Sequence, residues 1–210
     1  IDLKQIKPSG EDKQAVLEAV KQGFIQHAQG KITLPEPVQM LFGVTEDRIT
    51  GDCHIKTASS EDFPYFCIKV ATGFYANPAK GLAVNNGLVM LMSSDTGQPL
   101  ALFQDNGYLT SIRTAAAGAL AASLAKTNTA QTLGIIGTGH QAELQARWIS
   151  ETTPTSNILI WGRSEEKAKA LKKQLGDIDT PVKMASSISD LFAIALIIGT
   201  SSESHSHFVF

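Results

Sequence analysis

Residues 132–145 read "TLGIIGTGHQAELQ". The apolar run Leu133, Ile135 and Ile136 leads into Gly137-Thr138-Gly139-His140-Gln141-Ala142, a G-x-G-x-x-A turn, and then into residues that suit a helix. In a strand–turn–helix unit the first glycine permits a tight turn and the second lets backbone approach a pyrophosphate. A small third residue lets the helix pack close to the strand. The free N–H groups opening a helix over 141–150 would hold the phosphates. Alone, the motif is a weak signal, because a ligand-free glycine turn reads the same way.

Its surroundings strengthen it. Downstream, the pattern predicts a strand over 157–162, a helix over 165–175, a strand over 181–184, a short helix near 187–192 and a strand over 194–199. With a strand over 132–137, this alternation implies a parallel sheet with crossover helices, the start of a doubly wound nucleotide-binding domain. Such a domain has about six strands, and four are legible here. The last, "IALIIG", is apolar throughout, as suits a strand covered on both faces, and the tail "SHSHFVF" follows it. The expectation is a C-terminally truncated Rossmann-type sheet over 126–210. The lack of an initiator Met suggests a start that is incomplete or processed.

The first 125 residues have a different texture. Ser9-Gly-Glu11-Asp12 reads as a helix N-cap with first-turn carboxylates, and Gly30 as a stop. Val16, Ala19, Val20, Phe24 and His27 recur between them at helical spacing, which predicts a half-buried His27. From Ile32 to Phe103, runs such as "VQMLF", "FCIKVA", "LVMLM" and "LALF" alternate with Gly, Pro, Asn and Asp, the pattern of a mostly antiparallel sheet. Met90 and Met92 fall on one face of a strand. The run "LTSIRTAAAGALAASL" (109–124) is an alanine-rich helix able to lie close to its neighbours. Arg113 is its one charge; it can reach solvent or serve a ligand, and the pattern leaves both open.

Composition narrows the field. The 210 residues carry 18 Lys and Arg against 20 Asp and Glu, a formal net charge of −2. That offers no basic footprint for nucleic acid and no polybasic face for a membrane. No secretory signal is visible, and the run 193–198 is too short to span a bilayer. Cys53 and Cys67 read as reduced, buried thiols of a cytoplasmic protein. His205 and His207 lack a third ligand, and His54 and His140 lack partner spacing, so no metal site is expected.

The end of the second strand chooses the dinucleotide. An NAD site usually places an acid there for the ribose 2′-OH. Here Gly162, Arg163 and Ser164 stand in its place. Arg163 can face a 2′-phosphate with its planar fork and Ser164 can donate to it, so NADP(H) is favoured over NAD(H). Either Glu165 or Glu166 could reach the ribose instead.

The sequence resembles the ornithine cyclodeaminase/mu-crystallin family along essentially its whole length. The carrying motifs are "QGKITLPEP", "CIKVATGFYANPAKGLAVNNGLVMLMSSDTGQPLALFQD", "LTSIRTAAAGALAASLA", "LGIIGTGHQAELQ" and "ILIWGRSEEKAKAL". The resemblance implies a homodimer with a substrate and dimerisation domain, 1–125 here, and a Rossmann domain. It implies hydride transfer between NAD(P)(H) and the Cα of an amino acid or its imine. Lys69 matches the family's active-site lysine, and Arg113 the arginine that clamps the substrate carboxylate. Thr114 falls near the cofactor phosphates and Lys56 at a second basic position of the pocket. Thr200 and Ser201 match the segment under the nicotinamide-side ribose, and His140 sits where it can touch the cofactor.

Three departures accompany the likeness. The family's arginine in the first strand region is absent from "LPEPVQM", where Glu36 and Val38 flank Pro37. Its G-L-P-T is Gly81-Leu82-Ala83-Val84 here, and its proton-handling acid would lie beyond residue 210. The expectation is a reductase of a small cyclic imino acid of the Δ1-pyrroline-2-carboxylate type. Ornithine cyclodeaminase, alanine dehydrogenase, an NADPH-dependent ligand-binding protein and an inactive remnant are the alternatives.

Overall fold

A computed structural model describes residues 12–45, 48–125, 131–195 and 197–200. The chain divides into two compact units, Ile1–Thr110 and Ser111–Phe210. The expected cap at Ser9 lies outside the described residues.

The first unit opens with helix α1 (Asp12–Ala28). It stops at Gly30, whose φ of +73° suits a residue without a β-carbon. Its inward stripe differs from the expected one. Leu17 is buried, Val16, Val20 and Gln26 are half-buried, and Phe24 and His27 are exposed. A hydrogen bond from Ser60 Oγ to Gln26 Oε1, 3.3 Å long, ties down the Gln26 face and turns His27 outward.

Six strands follow: β1 (Ile32–Thr33), β2 (Val38–Phe42), β3 (Gly51–Ser60), β4 (Tyr65–Phe74), β5 (Asn85–Ser93) and β6 (Pro99–Phe103). They form one antiparallel sheet in the order β1-β3-β4-β5-β6, with β2 paired to the other end of β3. Registered residues share a face, so the pairing sorts the side chains. Val38, Ile55, Val70 and Leu88 form one row, and Ile68, Met90 and Leu102 another on the same face. The opposite, more polar face is mixed: Gln39, His54, Ala71 and Gly87 form one row, and Lys56, Lys69, Val89 and Phe103 the next. Met90 and Met92 do share a face. Cys53 is buried and Cys67 half-buried, on opposite faces of the sheet.

Helix α2 (Tyr108–Ala125) starts on a built cap. Asp105 is buried, and its Oδ2 accepts the Leu109 amide at 2.7 Å. Asn106 and Gly107 turn the chain through φ of 51° and 80° to bring that carboxylate back to the helix end.

The second unit holds the body of α2 and a parallel sheet. Strand β7 (Gln131–Ile136), helix α3 (His140–Thr152), strand β8 (Thr155–Trp161), helix α4 (Glu165–Gln174), strand β9 (Val182–Met184), helix α5 (Ile188–Ile194) and strand β10 (Ile197–Thr200) alternate as expected. The order β10-β7-β8-β9, all parallel, is that of a Rossmann sheet. Its core is Leu133, Ile135, Ile158 and Ile160 of the two middle strands, all fully buried, with Ala142, Ala146 and Ile149 of α3 and Leu171 of α4. The last strand begins later than the sequence suggested: Ile194 still closes α5, whose C-cap Ala195 donates to the Leu191 carbonyl. Gly134 explains that packing, since a β-carbon there would lie 2.7 Å from both Leu191 and Ala195.

Arg147 ties α3 to the end of α4. It donates to Glu143 at 3.1 Å, to Asp177 at 2.9 Å and to the Gln174 carbonyl at 2.7 Å. The hydrogen bond from Arg147 holds the Asp177 carboxyl below its ordinary range. A carboxyl lowered by folding contributes stability above the ordinary carboxylate pKa, about 4, and loses it as pH falls through the depressed value. Thermal unfolding followed by circular dichroism is expected to show Asp177→Asn melting below the parent at pH 7. The gap closes as the pH falls through the parent carboxyl's lowered value, below which the parent is itself protonated there.

Candidate functional site

The turn after β7 is built for close approach. Gly137 takes φ of +122°, which a side chain disfavours, and its amide donates to the Trp161 carbonyl at 2.9 Å. Gly139 caps α3 in an extended conformation, and its carbonyl accepts from Ala142 and Glu143. The amides of His140 and Gln141, ahead of these, have no acceptor within the helix and add to the positive end of its dipole. His140 is exposed at that end. Thr138 packs its methyl into the space left by Gly162 at the end of β8, where a β-carbon would collide with Thr138 Cγ2.

Gln141 is the second residue of α3. Its side chain turns from the phosphate turn towards α2, where Nε2 donates to the Ser111 carbonyl at 3.1 Å. One helical turn on, Gln145 Nε2 donates to the Thr114 carbonyl, also at 3.1 Å. Gly118 makes room for that second amide, and fully buried Ala115, Ala116 and Ala119 belong to the same small-residue helix. A clasp of two glutamines at i and i+4 thus holds α2 against α3. Any ligand contact by Gln141 falls to its backbone.

Beyond β8 and β9 lies a cavity of about 420 Å³ lined by Trp161, Gly162, Arg163, Met184, Ala185 and Ser186. It opens at the carboxyl ends of the strands, where doubly wound sheets bind their ligands. Arg163 is exposed along it. Ser164 caps α4, its Oγ accepting the Lys167 amide at 3.3 Å while the hydroxyl hydrogen stays available to donate. No acid stands at the end of β8 itself; Glu165, at the start of α4, also lines the cavity and pairs with Lys169 at 2.7 Å.

Arg113 lies on α2, exposed by surface area, yet desolvation lowers the pKa of its guanidinium. An arginine so placed keeps its charge and remains open to an anion. Thr200 ends β10 in register with Ile136. Ser201, His205 and His207 lie outside the described residues.

In the first unit, Lys56 on β3 and Lys69 on β4 stand directly opposite each other on the polar face. Burial pushes the Cys67 thiol up, while the charge of nearby Lys69 pulls it down. Like charges facing across strands repel, so this pair suits an anion held between them. Asp52, His54 and Tyr75 on the same side were missed by the sequence reading. The i, i+2 spacing of Asp52 and His54 in a strand was the available signal.

The sequence profile of the ornithine cyclodeaminase/mu-crystallin family matches residues 8–209. The chain belongs to that family. An uncharacterised cyclodeaminase of Sinorhizobium fredii is 40% identical over 178 residues, 81% of this chain and 53% of that protein. The Δ1-pyrroline-2-carboxylate reductase of Bacillus cereus is 35% identical over 134 residues, 63% of this chain and 41% of that one. Among solved structures, an archaeal alanine dehydrogenase dimer with bound NAD superposes with a TM-score of 0.77 at 26% identity. That superposition covers 90% of this chain and 55% of the dehydrogenase. The chain spans about half the length of these relatives.

Gly162 supplies a test of the turn. Gly162→Val should cost about 1–3 kcal/mol of stability in denaturant unfolding, the usual penalty for overpacking. Adding Thr138→Gly, which removes the colliding methyl, should recover part of that loss. Purely additive effects of the two changes would mean that the methyl does not occupy the space over Gly162.

Proposed function

We propose that the chain serves an NAD(P)H-dependent reductase of a small cyclic imino acid, of the Δ1-pyrroline-2-carboxylate to proline type. The observation that carries the reading is the β7–α3 turn, with its positive-φ Gly137 and the α3 amides of His140 and Gln141 that have no acceptor within the helix. The pyrroline-carboxylate reductase relative and the NAD-bound alanine dehydrogenase support it.

The residues present fit a dinucleotide. The glycines and the α3 amides suit a diphosphate, and the cavity beside Arg163 suits a ribose and its substituents. When bound, the cofactor would supply the hydride that reduces the C=N carbon. Arg113 would hold the substrate carboxylate through its planar fork. Lys69 would hand a proton from Nζ to the ring nitrogen, and Lys56, facing it, would help neutralise the anion. Ornithine cyclisation is the second reading, favoured by the cyclodeaminase relative.

NADP(H) is the preferred cofactor in this reading, because Arg163 and Ser164 stand where an NAD site places an acid. A thermal-shift titration decides it. A ligand at about a hundred times its Kd adds roughly 2.7 kcal/mol, so NADPH should raise the melting temperature more than NADH at equal concentration. Arg163→Ser should abolish the difference. Equal shifts with the parent chain would refute the preference.

A homodimer is also proposed. In Ile1–Thr110, Leu17 and Cys53 are the buried apolar side chains among the described residues. Val38, Met40, Phe42 and Leu102, on the apolar face of the sheet, are 39–56% exposed. A second copy of this face would cover them. Sedimentation velocity should show a dimer that Met40→Lys shifts towards monomer; a parent chain that sediments as a monomer at micromolar concentration rejects the pairing.

A further inference from the structure

The polar face of the first sheet continues past the two lysines. His54 stands opposite Ala71, and Asp52 opposite Gly73, the next pairs along β3 and β4. Tyr75 Oη donates to Asp52 Oδ2 at 2.6 Å, and the same oxygen lies 3.9 Å from His54 Nε2. Gly73 makes the convergence possible. A β-carbon there would come within 3.1 Å of Asp52 Oδ1 and 3.7 Å of both Asn85 Oδ1 and Tyr75 Cε1. Ala71 and Gly87, paired across β4 and β5, keep bulk away from the imidazole, whose side chain is 35% exposed. His54 is thus held beside a carboxylate, open to solvent, and within one diagonal of Lys69 across the strand pair.

We propose that His54, positioned by Asp52 and Tyr75, is the proton relay of the Lys69 site. This rests on the reductase reading above. In each turnover the C=N carbon gains hydride from NAD(P)H and the ring nitrogen gains the Nζ proton of Lys69. The neutral amine of Lys69 then takes a proton from the His54 imidazolium, and solvent restores the imidazolium. The carboxylate of Asp52 faces the ring and Tyr75 fixes that carboxylate, so the positive charge is stabilised without an added counter-ion. The charged and titratable groups facing His54 are Asp52 and Lys56 from β3, Lys69 from β4, and Tyr75 just beyond β4. Gln39 of β2 and Asn85 of β5 are neutral.

Two measurements on the 210-residue chain test the relay. The first is NMR titration of the His54 ring in the parent and in Lys69→Met, Asp52→Asn and Tyr75→Phe. Coupling predicts that the midpoint rises when the Lys69 charge is removed and falls when the Asp52 charge is removed. A His54 midpoint indifferent to Lys69→Met overturns the relay whether or not the chain turns over. The second is NADPH-driven reduction of Δ1-pyrroline-2-carboxylate. His54→Gln should lower kcat about tenfold or more, leave KM within about twofold, and remove the alkaline limb of the kcat profile, along which the parent loses its imidazolium. Added imidazole should restore part of the rate. Activity unchanged in His54→Gln overturns the relay and leaves the reductase reading standing. Cofactor binding without reduction by the parent chain overturns the reductase reading and the relay's catalytic role with it.

Discussion

The second unit depends on places where a side chain packs against backbone closer than a β-carbon there would allow. At Gly134 the sheet receives Leu191 and Ala195, at Gly162 it receives the Thr138 methyl, and at Gly118 helix α2 receives the Gln145 amide. Gly137 adds a backbone angle that other residues adopt only under strain. Each absence is no larger than a methyl group, but together they set how near the turn, the helix and the two middle strands lie. Dinucleotide chemistry needs that nearness. A diphosphate can be held by main-chain amides only if nothing projects between them and the phosphate.

The polar contacts fix what the glycines permit. Gln141 and Gln145 spend their side-chain amides on carbonyls of α2, in a helix whose own N–H and C=O groups are already paired. Gln141 Oε1 is buried without a hydrogen-bond partner among the described residues, as is Asp105 Oδ1. Both side chains therefore give up part of their bonding capacity for position. Asp105 starts α2 and the two glutamines hold it, so Arg113 is presented from a helix fixed at its first turns. A guanidinium on a well-held helix loses less freedom when it binds a carboxylate than one on a loop.

Periodicity and glycine spacing made the second unit legible, because each strand and helix there is marked by its own residues. The alternating sheet, its parallel order and the turn all follow from local pattern. The errors arose where position depends on a partner. The direction of the Gln141 side chain was not legible, because spacing alone cannot show which way a side chain leaves a helix start. His27 was placed inward because α1 has two plausible stripes, and the bond between Gln26 and Ser60, 34 residues apart, selects one. Register was the larger gap. That Lys56 faces Lys69, and that Asp52 and His54 extend the same face, depends on the pairing of β3 with β4. A slip of one residue would send all of one strand's side chains to the other side of the sheet.

That register also explains why one sheet can serve two purposes. Successive residues of β3 alternate between Asp52, His54 and Lys56 on one side and Cys53 and Ile55 on the other. The charged side resists dry burial, because covering two facing lysines would strip their water. The apolar side demands a cover for the opposite reason: Val38, Met40, Phe42 and Leu102 leave apolar surface in water. The same alternation therefore places opposite demands on the two faces. A substitution that shifted the β3–β4 pairing would damage both at once.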